Sequence, residues 1–243
     1  MNAPQPNNRP LRGLSSMATQ SLLKDLCLAF TKEHGIAVEV ESTGGVDAAK
    51  RVAAGEAVDL ILLASDAIER LMSAKQVMDQ TRGDWVLSSI AMAIPSGHAR
   101  PHIHDEASLR SAVQHAQRIG YSTGPSGAYL EKLFERWGLT AEVKAKLVVP
   151  APGVPVGRLI ASAEVSLGFQ QRSELINLKG IDLLGDLPAD VAHTTIFSSA
   201  LGLTLSQDPD RLEATRQWQS FLMSDATAQV KLSHGMRPIS HST

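Results

Sequence analysis

A turn rich in glycine and serine at residues 122–127 has the residue types needed to hold an anion. It follows a short apolar segment, and apolar residues recur at helical spacing from Tyr129 to Trp137, so the turn is expected to open a helix. The first N–H groups of a helix have no partner within it, and the helix dipole places positive charge there. An ordinary capped helix after a strand is the alternative interpretation. The candidate anion-binding residues here are Ser122, Thr123, Ser126 and Gly127.

Small polar residues also follow three predicted strands near the N-terminus. These strands cover residues 11–14, 36–40 and 60–64, and a predicted helix follows each of them. Alternating strands and helices of this kind favour an open parallel sheet. Ligands of such sheets bind beyond the carboxyl ends of the strands, next to the helix N-termini. The candidate binding residues in this part of the chain are Ser15, Ser16, Thr19, Thr43, Gly44, Gly45 and Ser65.

Two long predicted strands, 86–94 and 194–205, enclose a second alternating block with short predicted strands at 147–149 and 165–169. Each long strand is long enough to cross between two lobes, so the first lobe is expected to contain both ends of the chain. The predicted boundaries are residues 11–85 plus 198–243 for the first lobe, 86–197 for the second lobe and 1–10 for a disordered leader.

The second block contains further candidate ligands. A loop rich in proline and glycine precedes a short predicted helix at 158–163, and the strand at 165–169 is expected to end just before two glutamines. Arginine can bind a carboxylate through two parallel hydrogen bonds, although this arginine could equally face solvent. The candidate residues here are Val154, Arg158, Gln170 and Gln171.

Composition restricts the possible functions. The 243 residues include 23 basic and 25 acidic side chains, so the net charge of -2 does not favour a nucleic-acid surface. No stretch approaches the length of a membrane span, and the N-terminus lacks the apolar segment of a signal peptide. The chain as written is therefore expected to be cytoplasmic, or periplasmic if a signal peptide has been removed. The single cysteine, Cys27, follows the apolar pattern of a helix and is expected to pack in the core.

Metal, hydrolytic and cofactor chemistry have little support in the sequence. His98, His102 and His104 lie in a polar segment, but their spacing with the nearby acidic residues does not indicate a metal site. Neither a GxSxG nucleophile elbow nor a phosphate-binding GK[ST] loop is present. No metal and no cofactor are therefore expected.

Four segments resemble the class II periplasmic binding proteins, and most closely the molybdate-binding group. They are LSSMATQSLLKDLCLAFTKEHG, AAKRVAAGEAVDLILLAS, VPVGRLIASAEVSLGF and FLMSDATAQVKLSHGMRP, in the order of that family. The resemblance implies an α/β fold of two lobes, each an open, mostly parallel sheet flanked by helices, with two crossing strands as the hinge. It also implies a small anionic ligand in the cleft between the lobes and, if the protein is exported, an ABC permease as partner.

The chain departs from the molybdate-binding group where the anion is expected. The serine that begins a helix in that group aligns with Ala18, a second serine aligns near Gly45 and Val46, and a tyrosine aligns with Gln171. These three losses favour a larger, flatter anion, such as a di- or tricarboxylate, over molybdate. A molybdate- or oxyanion-binding component of an importer is kept as an alternative.

An isomerase is the other alternative, because bacterial aconitate isomerase resembles the same group. Such an enzyme needs a base near an acidic C–H bond and donors for the resulting anion. The candidate catalytic residues are Tyr129, Asp47 and Asp66. Each has a structural alternative: Tyr129 as a packing residue and the two aspartates as helix caps. A ligand-sensing module that acts on a protein partner is a third possibility.

Overall fold

The computed structural model describes residues 9–150 and 154–239. Most of the predicted leader, residues 1–8, lies outside the described residues, as do 151–153 in the proline- and glycine-rich loop. No helix in the described ranges is long and apolar enough to cross a membrane. The chain divides into two compact units. The first comprises residues up to Val86, Ile196–Ser233 and the residues from Arg237 onward; the second comprises Leu87–Thr195 and His234–Met236.

Strands and helices alternate along most of the chain. The strands are β1 (Leu11–Ser16), β2 (Val38–Thr43), β3 (Leu60–Ala64), β4 (Gly83–Pro95), β5 (Ile119–Tyr121), β6 (Leu167–Gln171), β7 (Ile181–Asp186), β8 (Thr194–Leu201) and β9 (Arg237–Pro238). The α-helices are α1 (Gln20–His34), α2 (Gly45–Ala53), α3 (Ser65–Ser73), α4 (Glu106–His115), α5 (Pro125–Arg136), α6 (Thr140–Lys146), α7 (Val156–Ala161), α8 (Arg172–Leu175), α9 (Pro209–Met223) and α10 (Ala228–Ser233).

The first unit is built on a sheet in which β1 lies between β2 and β3, and these three strands run parallel. Strand β8 pairs with the other edge of β3 in the antiparallel direction. Ile61 and Leu63 of β3 pack in one cluster with Val52 of α2 and Ile68 of α3. Burial of each such side chain stabilises the fold by roughly 2 kcal/mol. The parallel arrangement brings the carboxyl ends of β1, β2 and β3 to one edge of this sheet.

The second unit contains a mixed sheet, in which β5 and β6 are parallel and β4 runs antiparallel to both β6 and β7. On one face, Phe169 of β6 packs edge-to-face on Phe134 of α5, with ring centroids 6.2 Å apart. On the other face, helix α7 lies very close to β6, because a Cβ at Gly168 would be 2.3 Å from Ile160 Cδ1. Glycine at this position therefore permits the close contact between helix and strand.

Strands β4 and β8 each begin in one unit and end in the other, as expected for two crossing strands. Cys27 is buried in α1 as predicted, and burial raises the pKa of its thiol to about 12. The thiol is therefore neutral at physiological pH and unsuited to nucleophilic chemistry.

Several predicted element boundaries were wrong. The strand expected at 165–169 is β6, two residues later, so both glutamines lie inside the strand rather than after it. The strand expected at 147–149 is reduced to a single bridge between Leu147 and Ile119. The strand expected at 194–205 ends at Leu201, because the chain at Gly202 approaches the backbone of Val58 and then forms a 3-10 helix. Helix α6 was not predicted.

Candidate functional site

Serine side chains line the carboxyl ends of β1 and β2. Ser15 and Ser42 are register partners, and their hydroxyl oxygens lie 2.6 Å apart. The next residue, Ser16, is only 7% exposed, and its Oγ has no hydrogen-bond partner among the described residues. A buried hydroxyl without a partner is unfavourable in the free protein and is available to a ligand.

Helix α2 begins beside Ser16. Ala48 N donates to Gly44 O at 2.9 Å, so the N–H groups of residues 45–47 precede the first hydrogen bond inside the helix. No side chain caps this end. The position of a Cβ on Gly45 would be 3.5 Å from Ser16 Cβ, so the helix start and the serine hydroxyl are close together. These groups form a set of neutral donors with the positive end of a nine-residue helix.

The two candidate aspartates lie in the first turns of helices and are exposed. A Cβ on Gly44 would lie 3.4 Å from Asp47 Oδ2, which places this carboxylate at the N-terminus of α2. Asp66, in the first turn of α3, forms an exposed ion pair with Arg70 at 2.8 Å. Both positions are typical of acidic residues that stabilise a helix through its dipole. Their assignment as catalytic residues stays a prediction.

Three further candidates of the first unit lie near the same strand ends. Thr19 is buried and donates its hydroxyl to Ser16 O at 3.2 Å, so its hydroxyl proton is already used within the protein. Thr43 ends β2 and Ser65 begins α3, and both are partly buried. As ligands, these residues remain predicted.

The turn at residues 122–127 packs tightly against the first turn of α5. Ser122 Oγ and Ser126 Oγ lie 2.9 Å apart, and Ser126 is 1% exposed. A Cβ at Gly127 would be 1.6 Å from Ser122 O, so only glycine fits there. Thr123 is exposed. The predicted turn rich in hydroxyl groups does precede a helix, and its two serine hydroxyls are hydrogen-bonded to each other.

Gln170 connects three elements of the second unit. It is 2% exposed; its Oε1 accepts from Gly157 N at 3.0 Å, and its Nε2 donates to Glu174 Oε1 at 2.7 Å. Glu174 lies in α8 and keeps part of its surface exposed. Burial raises the pKa of its carboxyl to about 7, and the hydrogen bond from Gln170 opposes this shift. The carboxyl is therefore close to half protonated at neutral pH.

Gln171 points its amide at Thr195. The amide nitrogen donates to Thr195 Oγ1 at 2.8 Å, while Oε1 is buried and without a partner among the described residues. A hydroxyl can donate or accept, so rotating the amide by 180° would free the nitrogen and engage the oxygen. In either orientation one amide atom of this 3%-exposed side chain is available to a ligand.

Tyr129 is held by a backbone acceptor and an aromatic neighbour. Its hydroxyl donates to Val191 O at 2.9 Å, and its ring stacks on His193 with centroids 4.3 Å apart. Burial raises the pKa of Tyr129 and lowers the pKa of His193, so both groups are neutral at physiological pH. The contacts of Tyr129 agree with the packing alternative, and its catalytic role stays a prediction.

The other two candidates of the second unit lie at the start of α7. Val154 is partly buried, just before the helix. Arg158 is exposed, within the helix. Their roles as ligands remain predictions.

A shallow pocket of about 580 Å³ lies on the surface of the second unit beside α4. Glu106 on its wall accepts hydrogen bonds from Trp137 Nε1 and Arg136, which lower the pKa of the Glu106 carboxyl. Asp190 on the same wall accepts from Glu106 N at 3.1 Å. The wall carries three carboxyl groups, Asp105, Glu106 and Asp190, and one arginine, Arg110, so its acidic balance disfavours an anion.

Within residues 9–150 and 154–239, no three His, Cys, Asp or Glu side chains lie close enough together to hold a metal ion. These residues include the three histidines at positions 98, 102 and 104.

Three partners in these networks were missed by the sequence analysis: Ser42, Thr195 and Glu174. Glu174 carried one usable signal, because it lies four residues after Gln170, across the start of a predicted short helix. The other two pair with residues distant in sequence, and no local pattern indicates them.

Comparisons with known proteins agree with this architecture. A family model described as bacterial extracellular solute-binding protein matches residues 11–237. Aconitate isomerase from Pseudomonas sp. is 32% identical over 93% of this chain and 87% of its own length. The periplasmic molybdate-binding protein of Azotobacter vinelandii has a TM-score of 0.77 at 16% identity, covering 96% of this chain and all of that one. The sulfate-binding protein of Mycobacterium tuberculosis has a TM-score of 0.75 at 14% identity, covering 95% and 87%.

These findings confirm the predicted α/β fold of two lobes and the resemblance to the molybdate-binding group at the level of the fold. The matched residues span both units and nearly all of the described chain. The chain belongs to the bacterial extracellular solute-binding protein family.

Proposed function

We propose that this protein binds a small di- or tricarboxylate and interconverts isomers of it by proton transfer, with aconitate as the substrate class. The 32% identity to an aconitate isomerase, across 93% of the chain, supports a shared chemistry. The molybdate- and sulfate-binding structures are at most 16% identical, so they support the fold alone.

The observation that carries the proposal is a pair of buried side chains with an unused hydrogen-bonding atom. These are Ser16, beside the start of α2, and Gln171, at the carboxyl end of β6. Both are neutral, and each is placed where ligands of α/β sheets bind. Ser16 Oγ can donate as it stands, and Gln171 can donate once its amide is rotated so that Nε2 faces the ligand and Oε1 accepts from Thr195. A hydrogen bond to a charged acceptor contributes about 1.5–3 kcal/mol, so a few such donors suffice for specific binding of an anion.

The same residues favour a carboxylate over a compact tetrahedral oxyanion. Ala18, in the 3-10 turn after β1, offers no hydroxyl where the molybdate-binding group has a serine. Gln171 presents a planar amide in place of a phenol, and a planar amide pairs well with a planar carboxylate. A tricarboxylate has six oxygens to share among spaced donors, so donors spread over several strand ends suit it.

The proposed reaction moves one proton along a three-carbon unit. In aconitate, a CH2 group lies between a carboxylate and the double bond, and a base removes one of its protons. The electron pair spreads over the allylic carbons and the terminal carboxylates, and a proton then joins the far carbon while the double bond shifts. Neutral donors that hold the carboxylates stabilise the added charge, and no oxidant or reductant is consumed.

Two measurements test this proposal. Purified protein is mixed with cis-aconitate and followed by proton NMR, and molybdate, sulfate and both aconitate isomers are titrated by calorimetry. We expect the trans isomer to form and aconitate to bind, with molybdate binding weakly or not at all. Unchanged aconitate together with tight molybdate binding would contradict the proposal and favour the importer component, whose partner would be an ABC permease.

A further inference from the structure

We propose that Glu174 is the general base that takes the proton from the CH2 group of the substrate and returns it to the far allylic carbon. This inference rests on the proposed function and concerns a residue outside the three catalytic candidates from the sequence. In the resting enzyme the carboxylate accepts the proton from carbon, and in the second half of the reaction the resulting carboxylic acid gives it back.

Glu174 lies at the carboxyl edge of the second-unit sheet. Strand β6 ends at Gln171, and α8 begins at the next residue, so Glu174 is three residues beyond the strand end. Strand β5 runs parallel to β6 with Tyr121 opposite Phe169, which places the turn after β5 at the same edge. The carboxyl is therefore bonded to one predicted ligand residue, Gln170, and lies at the sheet edge at which β5 also ends.

The carboxyl is oriented by a hydrogen-bonded chain. Gly157 N donates to Gln170 Oε1 at 3.0 Å, and Gln170 Nε2 donates to Glu174 Oε1 at 2.7 Å. A Cβ at Gly157 would be 2.5 Å from Leu178 Cδ2, so glycine allows this backbone N–H to approach. Glu174 Oε2 accepts no hydrogen bond from the described residues. Among the same residues, no Lys, Arg or His forms an ion pair with this carboxyl. One oxygen is thus fixed and the other is available to take a proton.

The charged groups near α8 leave this carboxyl without an ionic partner. Arg172, on the same helix, pairs with Asp186 at 2.9 Å and packs against Gly235. Arg158 on α7 is exposed, and His234 follows α10. Only desolvation and the Gln170 hydrogen bond shift the carboxyl pKa, and the result of about 7 suits a base that must also act as an acid near neutral pH.

The three catalytic candidates from the sequence lack this combination of features. Asp66 is exposed and bound to Arg70, and Asp47 is exposed at a helix start. The Tyr129 hydroxyl donates a hydrogen bond to Val191 O, and burial raises the pKa of Tyr129 above its ordinary value. Glu174 combines a carboxyl that a buried side chain orients with the lack of an ion pair among the described residues.

The test compares Glu174→Gln with the wild type and with Glu135→Gln, an exposed control on α5. Glutamine keeps an oxygen that can accept from Gln170, so the fold and the ligand donors should be preserved. We expect E174Q to lower kcat for aconitate at least 100-fold while the calorimetric Kd changes less than threefold. The wild-type rate should rise with pH through about 7, E174D should keep a reduced rate with a shifted profile, and E135Q should match the wild type.

The possible failures can be told apart. An active wild type with an equally active E174Q, or with an unchanged pH profile in E174D, would overturn the assignment of Glu174 and leave the proposed function intact. A wild type that binds aconitate without isomerising it would overturn the proposed reaction, and the role of Glu174 with it.

Discussion

Replacing Glu174 with glutamine tests the desolvation of its carboxyl through the pH dependence of folding. Burial raises the pKa from 4.5 to about 7 in the folded protein. Between these two values the folded chain keeps a proton that the unfolded chain has released. The folded state then binds more protons, so the free energy of unfolding falls as the pH rises through this window.

The size of the effect follows from the two pKa values. The rise from 4.5 to about 7 corresponds to roughly 3 kcal/mol when the window is fully crossed. Between pH 5 and pH 8 the destabilisation from Glu174 should grow by roughly 2–3 kcal/mol. Glutamine does not titrate, so E174Q should gain this amount over the wild type when the pH is raised.

Urea unfolding of the wild type, E174Q and E135Q at pH 5 and pH 8 measures the effect. All other titrating groups are common to these proteins, so their contributions cancel in the difference. We expect the difference in unfolding free energy between E174Q and the wild type to be larger at pH 8 than at pH 5 by roughly 2–3 kcal/mol. The difference between E135Q and the wild type should be the same at both pH values. An E174Q advantage that changes by less than about 0.5 kcal/mol would refute the raised pKa.

Two further substitutions test the ligand role of Ser16 and the packing at Gly127. Ser16→Ala removes a hydroxyl that has no hydrogen-bond partner among the described residues, so urea unfolding should show no loss of stability. Calorimetry should show that the variant binds aconitate about tenfold more weakly than the wild type, or weaker still. Weakened folding with unchanged affinity would argue against Ser16 as a ligand. Gly127→Ala places a methyl group 1.6 Å from Ser122 O and should cost about 2–4 kcal/mol in the same unfolding assay. Gly124→Ala, whose Cβ would have only one neighbour at 3.9 Å, is its control and should cost under about 1 kcal/mol.

Local sequence pattern predicted much of the first unit. The run Leu60–Ala64 is apolar throughout and is bounded by polar residues, so its limits as a strand could be predicted to the residue. Gly35 follows the apolar helical pattern of α1 and ends this helix in the left-handed conformation with a φ of 69°, which is typical of glycine at this position. Both features depend on residues adjacent in sequence, which is why the sequence alone was enough.

The second unit was harder to predict because distant contacts decide it. Gln170 and Gln171 looked like loop residues, yet both lie in β6. Gly157 and Glu174 bind both amide atoms of Gln170, and Thr195 binds one amide atom of Gln171. Polar side chains are tolerated inside a buried strand only when such partners exist.

The geometry of the candidate site could be predicted in part, while the roles of its residues stay predictions. The hydroxyl-rich strand ends could be located from the sequence, because turns and helix starts have local signals. The raised pKa of Glu174 could not, since it arises from desolvation by residues that surround it only in the folded chain. The exposure of Asp47 and Asp66 is likewise a result of tertiary structure.

The most direct test of the account is proton and deuterium NMR of aconitate incubated with the purified protein in D2O. Proton transfer predicts that cis- and trans-aconitate interconvert and that deuterium enters the CH2 and vinyl positions to the extent that the base exchanges with solvent. Interconversion that depends on the enzyme and is lost in E174Q would support the whole account. Unchanged aconitate without deuterium, from a protein that binds the ligand in calorimetry, would contradict it.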